Sequence, residues 1–212
     1  MGIEIPSPHH AQVSRRGRGY LPHWEMQDGV YSVTFRLGDS LPESALARLR
    51  EERETALAAL EKHGGTPTPA DLRRLEDVLN DRVEAYLNAG AGACYMARPE
   101  IGRLVADAIR HFEGQRYRLF AWCVMPNHVH VVLRFAPGHG LERTLHSWKS
   151  YTSKAANRAL GRSGSFWARE YYDHLVRDED DFARVVAYVA QNPVKAGLRD
   201  WPWVWVSPEC GV

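Results

Sequence analysis

From residue 128 the chain reads His-Val-His-Val-Val-Leu-Arg-Phe. Drawn as an extended strand it puts Val129, Val131, Leu133 and Phe135 on one face and His128 and His130 on the other. The same two-residue period runs through 30–37, with Tyr31, Val33, Phe35 and Leu37 on one face, and predicts the first strand. Residues 117–124 are almost wholly apolar, which suits a buried strand, and Met125-Pro126-Asn127 joins them to the histidine strand. So short a connection makes the two an antiparallel hairpin.

Helical periods separate these strands. Residues 42–62 are rich in Ala, Leu, Glu and Arg. After a Gly/Pro break, Thr68-Pro69 with Asp71 three residues on opens a second helix reaching about residue 88. The pair reads as a helical hairpin inserted after the first strand. Pro99 then opens a helix with Ile101, Leu104, Val105, Ala108, Ile109 and Phe112 on one stripe, ended by Gly114. Another helix from about 141 to 159 buries Leu145, Trp148 and Thr152 and shows Arg143, Lys149, Lys154 and Arg158 on its other side. Residues 171–177 suggest a further strand, and Asp178 to Asp181 place acids at the start of a last helix that Pro193 closes. The class is α+β, a mainly antiparallel sheet covered by helices.

Composition narrows the reading further. The chain has 212 residues with a net charge of +1, which averages unlike regions. From 116 to 177 there are ten Lys/Arg against three Asp/Glu, whereas acids outnumber bases from 43 to 84. A basic stretch around two histidines suits a phosphate-backbone ligand. Arg15, Arg16 and Arg18 lie in a Pro/His/Arg-rich segment, 1–24, that reads as a flexible basic arm able to touch phosphates. Cys94, Cys123 and Cys210 form no Cys-x-x-Cys pair and argue against a disulfide framework. No apolar run approaches a membrane span or the core of a signal peptide, so a cytoplasmic protein with no membrane partner is expected.

Neutral imidazole is a common metal ligand, and two on one strand face can bind a single ion. Near the C-terminus Tyr188 and Asn192 stand at i and i+4, one turn apart on one helix face. An amide oxygen there can complete a coordination sphere begun by His128 and His130, with the phenol held beside the ion. A phenol of pKa near ~10 becomes a competent nucleophile toward a phosphodiester when a cation polarises the phosphate. Attack conserves the bond as a phosphotyrosine. Taken singly, each of these residues has an ordinary structural role: half-exposed strand histidines, a packing tyrosine, a helix-terminal asparagine.

His128-Val129-His130 after Met125-Pro126-Asn127, with Tyr188 and Asn192-Pro193-Val194-Lys195-Ala196-Gly197 downstream, resembles the single-tyrosine transposases of the His-hydrophobic-His superfamily, and most closely the REP-associated tyrosine transposases. Trp148-Lys149-Ser150-Tyr151-Thr152 and Phe166-Trp167-Ala168-Arg169-Glu170-Tyr171-Tyr172-Asp173-His174 extend the resemblance over most of the chain. It implies a ferredoxin-like, RNA-recognition-like sheet in a catalytic domain over 25–200, with 43–88 as its helical insertion and a Trp-rich tail over 201–212. It also implies a metal-dependent endonuclease and strand transferase acting on single-stranded DNA hairpins through a 5′-phosphotyrosine. Its divalent cation, Mg²⁺ or Mn²⁺, would be held by His128, His130 and Asn192, with Gln191 the rival third ligand and Tyr188 the nucleophile. Tyr151, Tyr171 and Tyr172 are rival nucleophiles. Lys149, Lys154, Arg158 and Arg169 are candidate DNA contacts, and Trp167 and His174 either line a DNA path or belong to the core. Monomer and homodimer both remain open. The competing functions are a domesticated relative that grips hairpins without cutting, and a histidine-triad nucleotide hydrolase, which lacks its third histidine at Val132.

Overall fold

The computed structural model describes residues 3, 5–6, 14–18, 21–64 and 66–211. Its strands are β1 (Ser14–Arg18), β2 (Leu21–Glu25), β3 (Val30–Leu37), β4 (Tyr117–Val124), β5 (His128–Phe135), β6 (Trp167–Leu175) and β7 (Val204–Val206). Its helices are α1 (Glu43–Gly64), α2 (Pro69–Asn88), α3 (Pro99–Arg110), α4 (Leu141–Ala159) and α5 (Glu179–Lys195). The main sheet is antiparallel in the order β6-β3-β5-β4-β7, while β1 and β2 pair apart from it. The run β3-α3-β4-β5-α4-β6 is a βαββαβ unit, and its strand order is that of the expected ferredoxin-like sheet. The helical hairpin α1–α2 is inserted between β3 and α3.

Alternation along β5 decides which helices cover which face. Val129, Val131 and Leu133 join Val33 and Phe35 in a core closed by Ile101, Val105 and Ile109 of α3 and by Leu145 and Trp148 of α4. Burying each large apolar side chain contributes roughly 1.5–3 kcal/mol, so this face anchors the sheet. Trp148 Nε1 donates to the Tyr117 hydroxyl (3.1 Å), which donates to Ile109 O (2.7 Å), tying α4, β4 and α3 together. On the opposite face Val132, Phe120 and Cys123 meet Phe182, Val185, Val186 and Val189 of α5. The hairpin α1–α2 lies over this second face too: Leu49, Val83 and Leu87 line a cleft with Thr34, Arg36 and Tyr172. Its second helix begins with the capping box read from Thr68 and Asp71.

Several expectations need correction. Residues 14–18 and 21–25, of which all but Glu25 fall in the segment expected to be a flexible arm, form a two-stranded ribbon. Arginine and proline content hid it, because strand pairing here is decided by the partner strand and not by local propensity. Positions 1, 2, 4, 7–13, 19 and 20 of that arm, and the side chains of Arg15, Arg16 and Arg18, lie outside the described residues. Pro193 does not end α5. The helix continues through Lys195, since proline forfeits only its own N–H bond while Ala196 N still donates to Asn192 O (3.0 Å) and Leu198 N to Pro193 O (2.9 Å). The Trp-rich tail adds a fifth strand, with Trp205 paired to Trp122.

Candidate metal and tyrosine centre

His128 and His130 sit on the central strand, hydrogen-bonded on both flanks: Thr34 of β3 and Cys123 of β4 both register with His130. Both imidazoles are at most 1% exposed. The Asn127 amide donates from Nδ2 to Leu87 O (3.1 Å) and Ala91 O (2.9 Å), so the atom facing His128 Nδ1 at 2.7 Å is its carbonyl oxygen. Nδ1 must therefore carry the His128 proton, which leaves Nε2 with its lone pair. His130 Nδ1 is held by Thr34 Oγ1 at 2.8 Å. Burial, reinforced by His130, pushes His128 well below the ordinary histidine range; burial also lowers His130, against the opposing pull of Glu84. The pair is thus two neutral imidazoles. The 3.7 Å approach of His130 Nε2 to Glu84 Oε2 is accordingly no ion pair.

Both Nε2 atoms are buried without a hydrogen-bond partner, and so are Oδ1 and Nδ2 of the fully buried Asn192. An unsatisfied buried polar atom costs about 1–3 kcal/mol, so the two imidazole nitrogens, with a Glu84 oxygen within 4.8 Å of both, mark a place suited to a ligand. The His128 Nε2 lone pair, His130 Nε2 when Thr34 accepts from its Nδ1, and an amide oxygen are a donor set that suits a divalent cation. The hydrophobic stripe of α5 turns Tyr188 and Asn192 inward together. The Tyr188 ring stands 5.4 Å from that of His130, within the same chain, and its hydroxyl donates to Glu84 Oε2 at 2.8 Å. Burial and the Glu84 charge raise its pKa, so the phenol is held protonated. Lys195 Nζ lies 5.1 Å from the same ring.

Glu84 escaped the sequence reading. It lies on α2, inside the insertion, and it forms with His128 and His130 the one group of potential ligands with this spacing among the described residues, their donor atoms all within 4.8 Å of one another. A signal existed: Leu79, Val83 and Leu87 form the inward stripe of α2, and Glu84 falls inside it. A carboxylate on an apolar stripe demands a partner.

The remaining candidates lie elsewhere. Gln191 is exposed, whereas Asn192 beside it is fully buried. Tyr151 is 60% exposed on α4, across the sheet from the histidines. Tyr171 packs into the α3–α4 core, while Tyr172 shares the histidine face and donates to Asp77 Oδ1 (3.4 Å). Lys154 and Arg158 are exposed on α4, Arg169 is exposed on β6, and Lys149 is not a free cation. Its Nζ donates to Ala168 O (3.0 Å) and Arg169 O (3.3 Å), and burial lowers its pKa to about 8. Trp167 is core, donating to Thr152 Oγ1 (2.9 Å). His174 Nε2 meets Asp181 Oδ2 at 2.7 Å in a structural network with Arg177 and Arg184.

Comparison with known proteins agrees with this geometry. Residues 98–192, from the start of α3 to Asn192, match the family model described as "Transposase IS200 like". A candidate REP-associated tyrosine transposase of Haemophilus influenzae is 25% identical over 140 residues, covering 59% of this chain and 74% of that protein. The REP-associated tyrosine transposase of Escherichia coli K12 is 28% identical over 91 residues, 41% of this chain and 53% of that one. A solved REP-associated tyrosine transposase bound to a REP hairpin aligns with a TM-score of 0.46 at 17% identity, over 90% of this chain and 81% of its own. No described helix is long and apolar enough to cross a membrane. Residues 98–192 are therefore similar to the IS200-like transposase family, and the chain is similar over part of its length to the REP-associated tyrosine transposases.

Proposed function

We propose that the chain is a metal-dependent endonuclease and strand transferase for single-stranded DNA hairpins, with Tyr188 as nucleophile. His128, His130 and Asn192 would hold the cation. The observation that carries this reading is the pair of unpartnered buried imidazole nitrogens with the Tyr188 ring beside His130, Asn192 standing one turn after that tyrosine on the same helix. The hairpin substrate is what the sequence resemblance to the REP-associated tyrosine transposases implies. A bound Mg²⁺ or Mn²⁺ supplies charge withdrawal from the phosphate. The Tyr188 oxygen attacks phosphorus, the bond from phosphorus to the 3′-oxygen breaks, and the phenolic proton ends on that oxygen. The products are a 5′-phosphotyrosine and a free 3′-hydroxyl, and the reverse step rejoins strands without an external energy source. Thr34 and Asn127 orient the two imidazoles through their Nδ1 atoms. Lys154, Arg158 and Arg169 hold DNA phosphates away from the cleavage point, and Arg15, Arg16 and Arg18 are further candidates for phosphate contact on charge alone.

Hairpin oligonucleotides incubated with protein and Mn²⁺ test the reading on a denaturing gel. A covalent adduct is expected with wild type and none with Tyr188→Phe. An adduct that survives in Tyr188→Phe and disappears in Tyr151→Phe refutes the assignment. The closed site, with its phenol bonded to Glu84, favours a second reading, hairpin binding without cleavage, which binding with no adduct in wild type would identify.

A further inference from the structure

We infer that Glu84, carried by the inserted helical hairpin, is a direct ligand of the cation at His128 and His130, so that the insertion completes the metal site. The inference rests on the function proposed above and adds a donor from outside the βαββαβ unit. The Glu84 carboxylate and both imidazole nitrogens lie within 4.8 Å of one another, and the Glu84–His130 separation is 3.7 Å. Donors about 2.0–2.2 Å from a shared ion stand about 3–4.2 Å apart, so the group closes on a cation by shifts of about an ångström or less.

Charge gives a second, independent reason. Two neutral imidazoles and an amide leave a dication uncompensated in a site where the histidines are at most 1% exposed, and an unpaired buried charge is costly. Glu84, itself 8% exposed, supplies the missing negative charge. It also supplies the hard oxygen that Mg²⁺ and Mn²⁺ favour over nitrogen. The local backbone is arranged for the task. The end of α2 is pinned to the histidine strand by Asn127, whose amide donates to Leu87 O and Ala91 O. Because Oε2 also accepts from the Tyr188 hydroxyl, one carboxylate ties the nucleophile to the cation position.

The test is Mn²⁺ binding to the full-length protein without DNA, followed by loss of the free-ion electron paramagnetic resonance signal, with the visible spectrum of the Co²⁺ form as a second readout. Glu84→Gln keeps the side-chain shape and is expected to weaken Mn²⁺ binding about tenfold or more and to change the Co²⁺ spectrum, with the metal-free melting temperature near that of wild type. Glu84→Ala replaces it if Glu84→Gln does not fold. The double variant His128→Ala/His130→Ala is expected to abolish binding. Wild-type Mn²⁺ affinity and an unaltered Co²⁺ spectrum in Glu84→Gln, with binding still lost in the histidine variant, overturn the role of Glu84 and leave the proposed function standing. Undiminished binding in the histidine variant removes both.

Discussion

Replacing Asn127 separates the two jobs of one buried amide. Its Oδ1 accepts from His128 Nδ1 at 2.7 Å, while its Nδ2 donates to Leu87 O and Ala91 O at 3.1 and 2.9 Å. Asn127→Ala deletes all three bonds in a site 1% exposed. Leu87 O keeps a second donor in Gly90 N at 3.0 Å, so its loss is mild, whereas His128 Nδ1 is left with no acceptor. At about 1 kcal/mol for each bond to the carbonyls and about 1–3 kcal/mol for the stranded imidazole N–H, the variant should lose about 3–5 kcal/mol. Release of the ring should also weaken Mn²⁺ binding roughly 10- to 100-fold. Asn127→Asp discriminates, because its carboxylate still accepts from Nδ1 but meets two carbonyl oxygens on its other side. It should be comparably destabilised yet bind Mn²⁺ more tightly than Asn127→Ala. Urea unfolding of the metal-free proteins and calorimetric Mn²⁺ titration measure the two effects. Equal affinities in the two variants would refute the orienting role, and wild-type stability in both would refute the bridge from α2 to the histidine strand.

Two predictions concern pH. Although burial opposes ionisation of Asp181, hydrogen bonds and charge from His174 and Arg177 hold its carboxyl well below the usual range. Its contribution is therefore present above the ordinary carboxylate pKa and fades as pH falls toward the folded value; Asp181→Asn should cost about 2–3 kcal/mol at pH 7, a deficit that shrinks in acid unfolding series. Lys149 titrates near 8 when folded and 10.5 otherwise, so from pH 8 to 10.5 the unfolded chain binds more protons and stability rises with pH. That rise should be missing from the chemical denaturation of Lys149→Met.

The strands that carry the site were legible because burial of one face forces a two-residue period. Residues 30–37, 117–124 and 128–135 appear in the structure as read. The helical hairpin was legible through the Thr68 cap, yet its purpose was not, since nothing local reports that Glu84 meets a strand more than forty residues away. Tyr188 and Asn192 could be paired from helical spacing alone, whereas which side of the sheet α5 covers depends on tertiary packing. The same limit hid the displacement of α4. Its cations looked adjacent to the histidines in sequence, and one change of sheet face puts the two on opposite sides. Lys149 illustrates the point at a single residue, where a helix surface position turned out to grip the β6 backbone.

The position of β5, laced to a neighbour along both edges, divides labour within the molecule. A strand so held is a fixed platform, and the Asn127 amide fastens the end of the helical cover to it. The cover thus brings Glu84 to a rigid pair of imidazoles, so a change confined to the inserted hairpin alters the charge facing them while the platform stays as it is.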